Sequence, residues 1–296
     1  METYKVTNEN ELRELIEVTD AQLQTEGAPI HARPFHAASR ISQRFGFGEN
    51  LKLFVADREP VKGVYLGDDL TIRINRWYKQ KYGERLKVDP SKRIPILIRQ
   101  DVYALRIPLI CGTVDVIWDP EQFGTTPANS SGGPVLNLVD QVEGFTKEYA
   151  RSLTDEERAD IADKFHFGFL ATDAIYAAPR KRPIPEAIGD LEASLMLVLT
   201  RPPNYGISKW ESLQATEKFI KALITKLGAT FKFIHELNSL AAIAESAGAP
   251  TVPRSAVSKI QCSAGVRYGS PAVTMQEAVE AHQSALEVCG LIARSL

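Results

Sequence analysis

A histidine and two arginines near the N-terminus are spaced so that one helix would present them together. His36, Arg40 and Arg44 fall at positions i, i+4 and i+8, which share one stripe on an α-helix. Such a stripe could hold a phosphate backbone, and replacing Arg40 and Arg44 by Glu should then weaken RNA binding and flatten its salt dependence. The alternative, which we favour, is pairing within the molecule to acidic residues of the preceding segment, namely Glu11, Glu14 or Glu17.

A second basic segment alternates with aromatic residues, a composition that suits single-stranded nucleic acid because bases stack on rings while cations contact phosphates. Its members are Arg73, Arg76, Lys79 and Lys81 with Trp77, Tyr78 and Tyr82. Residues 31–110 hold 16 Lys/Arg against 8 Asp/Glu, a net charge of +8, although the whole chain carries −2. The alternatives are a half-buried strand end for the aromatics and a basic surface balanced by an acidic neighbour for the charge.

Further candidate binding residues lie towards the C-terminus. Lys218 and Lys221 are three apart, so one helical face presents both, either to a ligand or to solvent. His235 could contact a phosphate or base, or could satisfy backbone groups at the start of a helix, which we favour. Arg267 and Tyr268 could bind phosphate and stack on a base, or could fix a loop to its neighbours.

Cysteine usage and hydropathy indicate the compartment. Cys111, Cys262 and Cys289 stand far apart and form neither a metal-ligand pair nor a disulfide framework, which fits a reducing environment. The first residues are polar, with no apolar core of a secretory signal. No apolar run approaches the roughly 20 residues that a membrane-spanning helix needs. We therefore expect a cytoplasmic protein with no membrane partner, and no motif indicates a metal or a cofactor.

The N-terminal region mixes helix and strand patterns. Apolar spacing predicts helices at about 8–26 and 34–46, and β-rich composition predicts strands at 51–56, 63–74, 93–99 and 103–118. The stretch 77–87 fits a helix or an irregular connection equally. The Gly-, Pro- and Ser-rich stretch 119–134 predicts a boundary. We therefore expect an α+β domain with a small antiparallel sheet over 1–133, followed by a helical region over 134–296.

Helix signals dominate after the boundary. Predicted helices cover about 154–177, 185–200, 208–227, 235–247, 255–262 and 274–294. Thr154, Ser208 and Thr274 each precede a Glu by three residues, the spacing of a capping box. Gly228 and Gly248 stand where helix ends favour a left-handed residue.

Four segments in this helical region, taken in order, resemble the HEPN family. They are 212–223 with its Glu217-Lys218 pair, 233–240 with His235-Glu236-Leu237, the pair Arg267-Tyr268, and the capped helix start 274–278. The resemblance covers about 185–296. It implies a bundle of four or five helices that often pairs with a second copy of itself, hence a homodimer through the helical region. The family includes nucleases, nucleotide-associated binding modules and partners of nucleotidyltransferases.

The motifs of the two catalytic branches do not fit this sequence. A nuclease of the family needs an Arg followed by a His after four to six residues, whereas Arg158 precedes His166 with seven between them. A nucleotidyltransferase needs a closely spaced Asp pair for magnesium, and Asp115 and Asp119 after Gly112 have the wrong spacing. The sequence therefore predicts a non-catalytic nucleotide- or RNA-binding module, and the resemblance alone implies a setting in stress or phage defence. A ribonuclease with a non-standard site and a dimerising scaffold stay open as alternatives.

Overall fold

Residues 6–44, 55, 58–110, 112–125, 134–231 and 235–296 are described by a computed structural model of the protein. They form two compact units, Met1–Asp89 and Pro90–Leu296. The N-terminal unit contains helices α1 (Glu9–Thr25), α2 (Arg33–Arg44) and α3 (Gly67–Tyr82). The C-terminal unit begins with strands β1 (Lys92–Ile98), β2 (Asp101–Ile107), β3 (Asp115–Ile117) and β4 (Val135–Asn137). Its helices are α4 (Lys147–Arg151), α5 (Asp155–Ala177), α6 (Ile184–Leu199), α7 (Tyr205–Lys226), α8 (Leu237–Ser246), α9 (Arg254–Ile260) and α10 (Met275–Ala293).

The first two helices confirm the apolar spacing of the sequence. The Asn8 side chain accepts a hydrogen bond from the Glu11 amide at 3.0 Å and so caps α1. Leu12 and Ile16 lie one turn apart on the buried face of α1. Ile41 is the buried counterpart on α2. The last two residues of the helix predicted at 34–46, and the strand predicted at 51–56 except residue 55, lie outside the described residues.

The strand prediction for 63–74 was wrong, because a helix, α3, begins at Gly67. Leu70, Ile74 and Tyr78 repeat every four residues and are fully buried, so their burial outweighs the β-branched composition that suggested a strand. Asp69 accepts hydrogen bonds from both terminal nitrogens of Arg58 at 2.9 and 3.0 Å. The helix continues to Tyr82, which settles the first part of the stretch that the sequence left open, and a 3₁₀ turn follows over Gly83–Leu86.

Strands β1 and β2 form an antiparallel hairpin, as predicted for this part of the chain. Alternate residues Ile94, Ile96 and Ile98 of β1 are buried. The hairpin packs on α5, α6 and α10. The approach to α5 is close, because a Cβ on Gly168 would lie 2.7 Å from Ile94 Cδ1. β3 and β4 form a short parallel pair.

This packing makes the hairpin part of the C-terminal unit, with α5, α6 and α10, and not part of the N-terminal unit. The composition of the chain predicts a boundary at the Gly- and Ser-rich stretch before residue 134, whereas the two compact units divide between Asp89 and Pro90. The physical reason is that a two-stranded hairpin with one apolar face is marginal by itself and needs a covering layer. The mixed α+β class, with a small antiparallel sheet and a helical C-terminal region, is confirmed.

The C-terminal helices form a bundle in which α7 and α10 are central. α10 packs on α5, α7 and α9, and α7 also packs on α6 and α8. The capping boxes of Thr154 with Glu157 and of Thr274 with Glu277 are both present. Gly228 and Gly248 have φ of 74° and 100°, as their positions at helix ends predict.

The capping box predicted at Ser208 is wrong, since α7 begins three residues earlier. Asn204 caps α7 by accepting a hydrogen bond from the Ile207 amide at 3.0 Å. Ser208 lies within the helix, is fully buried, and donates to the Ser194 carbonyl at 2.9 Å. Nowhere in the described part of the chain is a helix both long and apolar enough to cross a bilayer.

Candidate functional site

The predicted stripe on α2 is partly engaged within the N-terminal unit. The Arg40 guanidinium contacts both carboxylate oxygens of Glu26, one of them from Nη1 at 2.8 Å. This hydrogen bonding holds the pKa of Glu26 below its usual range. Glu26 directly follows α1, so the intramolecular partner is not one of the three glutamates that the sequence proposed. His36 is exposed on the same helix, and the Arg44 side chain lies outside the described residues.

The lysines of α7 are also paired with nearby carboxylates. Lys218 Nζ contacts Asp190 on α6. Lys221 Nζ lies 2.6 Å from Oε1 of Glu217, a residue only 6% exposed. His235 Nδ1 lies 3.1 Å from both oxygens of that same carboxylate. The structure thus brings Lys221 and His235 together around Glu217, and Lys218, Lys221 and His235 each contact a carboxylate.

His235 does not cap helix α8. That role belongs to Glu236, whose carboxylate accepts hydrogen bonds from the amides of Asn238 at 3.0 Å and Ser239 at 2.6 Å. Hydrogen bonding from the Ser239 side chain, and then from the amides of Ser239 and Asn238, lowers the pKa of Glu236. The favoured interpretation of His235 as a group that satisfies local backbone is therefore replaced by a side-chain contact with Glu217.

Arg267 and Tyr268 have different surroundings. Both lie in a 3₁₀ turn over Ala264–Tyr268 and are exposed, Tyr268 to 82%. The Arg267 guanidinium carbon lies 4.5 Å from the ring centroid of Trp210 on α7 and 5.4 Å from that of Tyr268. Its Nε donates to the Ala264 carbonyl at 3.3 Å, and no described carboxylate lies within ion-pair distance of it. The turn thus presents a cation close to two aromatic rings.

The first turn of α7 adjoins this pair. A cavity of about 360 Å³ is lined by residues of the α7 start, by Arg267 and by the loop that follows, namely Pro203, Asn204, Tyr205, Gly206, Val266, Gly269, Ala272 and Val273. The amides of Tyr205 and Gly206 make no hydrogen bond to the described residues. A helix N-terminus carries partial positive charge and attracts anions. The cavity therefore combines the start of α7 with a guanidinium.

Gly206 fixes the position of the turn. A Cβ at this residue would lie 2.1 Å from the Val266 carbonyl oxygen, so only glycine permits the backbone of the turn to rest on α7. Sequence reasoning found Arg267 and Tyr268 but missed Trp210, Gly206 and the helix start. Asn204 after two prolines was the available signal, because Asn is a preferred N-cap.

Electrostatics near this turn are mixed. Burial, and then the negative charge of Asp190, raise the pKa of the Glu211 carboxyl, while the positive charges of Lys218 and Arg267 lower it. The acidic and basic groups of this part of α7 therefore offset one another.

A histidine and several serines meet in the core of the bundle. His282 Nδ1 lies 3.0 Å from Ser194 Oγ, which lies 3.1 Å from Ser208 Oγ and 2.8 Å from Ser212 Oγ. A histidine hydrogen-bonded to a serine is also found in enzymes, where the two act as base and nucleophile. Here, however, the four residues are at most 2% exposed. Burial lowers the pKa of His282 to about 3. No substrate can reach these groups in this arrangement, so they form a structural polar network.

Within the described ranges no group of three or more His, Cys, Asp or Glu side chains could hold a metal ion. Comparison with known proteins finds no matching family model, no matching curated protein and no matching solved structure. The resemblance to the HEPN family stays a prediction that rests on the four sequence segments.

Proposed function

We propose that the C-terminal unit binds a nucleotide or single-stranded RNA without cleaving it. The site is the surface formed by Trp210, Arg267, Tyr268 and the first turn of α7, called here the Arg267 surface. The observation that carries the proposal is the state of Arg267: the guanidinium is exposed, lies near two aromatic rings and donates to a carbonyl, and among the described residues it forms no salt bridge. Of the other described basic candidates, Arg40, Lys218, Lys221 and His235 contact carboxylates, and His36 is exposed on α2.

The surface offers two contacts to a nucleotide. The guanidinium and the amides at the start of α7 can donate hydrogen bonds to phosphate oxygens. The Tyr268 ring is exposed over most of its area, so a base can stack on it without displacing packed side chains. Both contacts are independent of base identity, and we expect weak sequence preference.

The resemblance to the HEPN family supports this assignment, since Arg267-Tyr268 is one of the four matching segments. It also leads us to propose a homodimer through the helical region, working in the cytoplasm in a stress or defence response. The absence of the family's Arg–His nuclease spacing supports binding rather than cleavage.

The test is fluorescence anisotropy of a short labelled single-stranded RNA titrated with the intact protein at low salt. Tyr268→Ala should weaken binding about 5- to 140-fold, because one stacked base is worth roughly 1–3 kcal/mol. Arg267→Ala should weaken it about 10- to 140-fold, because a hydrogen bond to a charged group is worth roughly 1.5–3 kcal/mol. Gel analysis of the same mixtures should show uncut RNA.

Arg182→Ala is the matched control, because Arg182 is an exposed arginine of the same unit that lies far from this turn in sequence, paired with Glu186. The Arg182→Ala variant should bind the RNA with the same affinity as the unchanged protein. Equal affinities for Arg267→Ala, Tyr268→Ala and the control would remove the Arg267 surface from consideration as the site.

A further inference from the structure

We propose that the C-terminal unit has a second site: a cavity between the β1–β2 hairpin and α5 binds a free amino acid with an apolar side chain. The cavity encloses about 290 Å³. Small-ligand sites commonly span about 300–1,000 Å³, so the size suits a molecule at the small end of that range, such as one amino acid. Its walls are the start of β1, the end of β2 with the residues that follow, and the C-terminal part of α5.

Apolar side chains form much of the cavity wall. Ile107, the last residue of β2, lines the cavity and is only 3% exposed. Ile110 and Phe169 also line it and are partly buried against the apolar core. Leu109 completes this part of the wall and is 73% exposed. An apolar ligand group placed here removes these side chains from water, which favours binding.

Two side chains of opposite charge line the same cavity, and neither forms an ion pair with a described residue. Lys92 is the first residue of β1, and its Nζ lies 3.6 Å from the ring centroid of Tyr176. Asp173 is exposed on α5. The two charges also lie beyond ion-pair distance of each other. The cavity therefore has no net charge but offers a ligand one cation and one anion.

The remaining polar side chains of the wall are occupied within the fold. The Thr172 hydroxyl donates to the Gly168 carbonyl at 2.8 Å. The Tyr176 hydroxyl donates to the Glu192 carboxylate at 2.7 Å. These two side chains thus add little to ligand recognition, which falls to Lys92 and Asp173.

A free amino acid carries both of the charges that the cavity can pair. Its ammonium and carboxylate groups are attached to one carbon, so the first can contact Asp173 while the second contacts Lys92. A ligand with only one charge leaves the other protein group without a partner. A peptide also fits poorly, because its terminal charges stand far apart. The apolar wall then favours a side chain such as that of leucine.

The test is isothermal titration of the full chain with L-leucine at neutral pH. Two analogues each lack one charge: 4-methylpentanoate has no ammonium group, and 3-methylbutylamine has no carboxylate. Leucine should bind about 10-fold or more tighter than either analogue, the effect of one hydrogen bond between charged groups. Glycine should bind more weakly than leucine, because it has no side chain to bury in the cavity.

Lys92→Gln and Asp173→Asn should each weaken leucine binding about 10-fold or more, for the same reason. The matched controls are Lys164→Gln and Asp163→Asn on α5. Lys164 is partly buried like Lys92, and Asp163 is exposed like Asp173. Neither control residue lines the cavity or forms an ion pair with a described residue. Both control variants should bind leucine as the unchanged protein does.

Leu109→Ser tests the apolar wall at a side chain that is 73% exposed, where folding is not at risk. This variant should have a smaller preference for leucine over glycine. Three results would each overturn the proposal: undetectable leucine binding by the unchanged protein, equal affinities for Lys92→Gln, Asp173→Asn and their controls, or tighter binding of 4-methylpentanoate than of leucine.

Discussion

At the scale of single residues, the buried serines and threonine of α6 and α7 each find a hydrogen-bond partner. Ser212 Oγ donates to the Ser208 carbonyl at 3.2 Å, and Thr216 Oγ1 donates to the Ser212 carbonyl at 2.8 Å. Ser194 joins these groups to His282 on α10. A buried hydroxyl without such a partner would be costly, so the network ties α6, α7 and α10 to one arrangement.

His282 makes the stability of the C-terminal unit depend on pH. Its pKa is about 3 in the folded protein against 6.5 for a free side chain, so between these values the unfolded chain binds a proton that the folded protein excludes. Stability should therefore fall as pH drops below about 6.5, by at most about 1.4 kcal/mol per pH unit, and this loss is complete near pH 3. Urea unfolding at pH 7.5, 6.5, 5.8 and roughly 5.0, above the range of most carboxyls, measures the slope.

His282→Asn keeps a polar group near the position of Nδ1 and cannot take up the proton. We expect a lower free energy of unfolding at pH 7.5, because packing is lost, but a shallower dependence on pH between 5 and 6.5. If the variant shows the same slope as the unchanged protein, the slope does not come from His282.

At the scale of elements, capping boxes define the N-termini of α5 and α10. The Thr154 and Thr274 hydroxyls accept hydrogen bonds from the third amide of their helices, both at 3.2 Å. In return, the carboxylates of Glu157 and Glu277 accept hydrogen bonds from the amides of the two threonines. These reciprocal contacts satisfy amides that a helix otherwise leaves open. They depend on residues only three apart, which is why the sequence predicted both.

Thr274→Ala should lower the free energy of unfolding by about 0.5–2 kcal/mol, because the third amide of α10 loses its acceptor. Thr225→Ala is the control, since the Thr225 hydroxyl is exposed and only donates to the Lys221 carbonyl of its own helix. That change should stay within about 0.5 kcal/mol. Chemical denaturation followed by circular dichroism compares the two, and equal losses would mean that the cap does not stabilise α10.

At the scale of the whole molecule, the hairpin is part of the helical unit. Ile94, Ile96, Leu105 and Ile107 belong to the same apolar core as residues of α5, α6, α7 and α10. Removing the hairpin would expose the helix faces that it covers. The Pro90–Leu296 unit has its own continuous core, which is the physical requirement for folding alone.

A chain of residues 90–296 should fold cooperatively and retain its helical circular dichroism. A chain of residues 134–296, cut at the boundary that the sequence suggested, should melt at a lower temperature and bind the dye ANS through its uncovered apolar surface. Thermal melts and ANS fluorescence make the comparison. Identical melting temperatures for the two chains would show that the hairpin adds nothing to the core.

The sequence by itself determined helices α5 to α10, two capping boxes, strand β1 and the Arg267-Tyr268 pair, whereas it missed α4 and joined β2 and β3 into one strand at 103–118. These features follow from residues within a few positions of one another, where apolar period and capping chemistry act. Arg267 and Tyr268 could be chosen from their types, since guanidinium and phenol suit phosphate and base.

Only the tertiary structure decided which cations are paired. Lys218 meets Asp190 from 28 residues away, and Arg40 meets Glu26 from 14 away. Only the tertiary structure also shows that residues 67–82 form a helix, that the Val266 carbonyl packs against Gly206, and that the hairpin belongs to the helical unit. Each outcome depends on contacts between distant segments, whose geometry no local pattern encodes, because burial and close approach outweigh the small differences in local propensity.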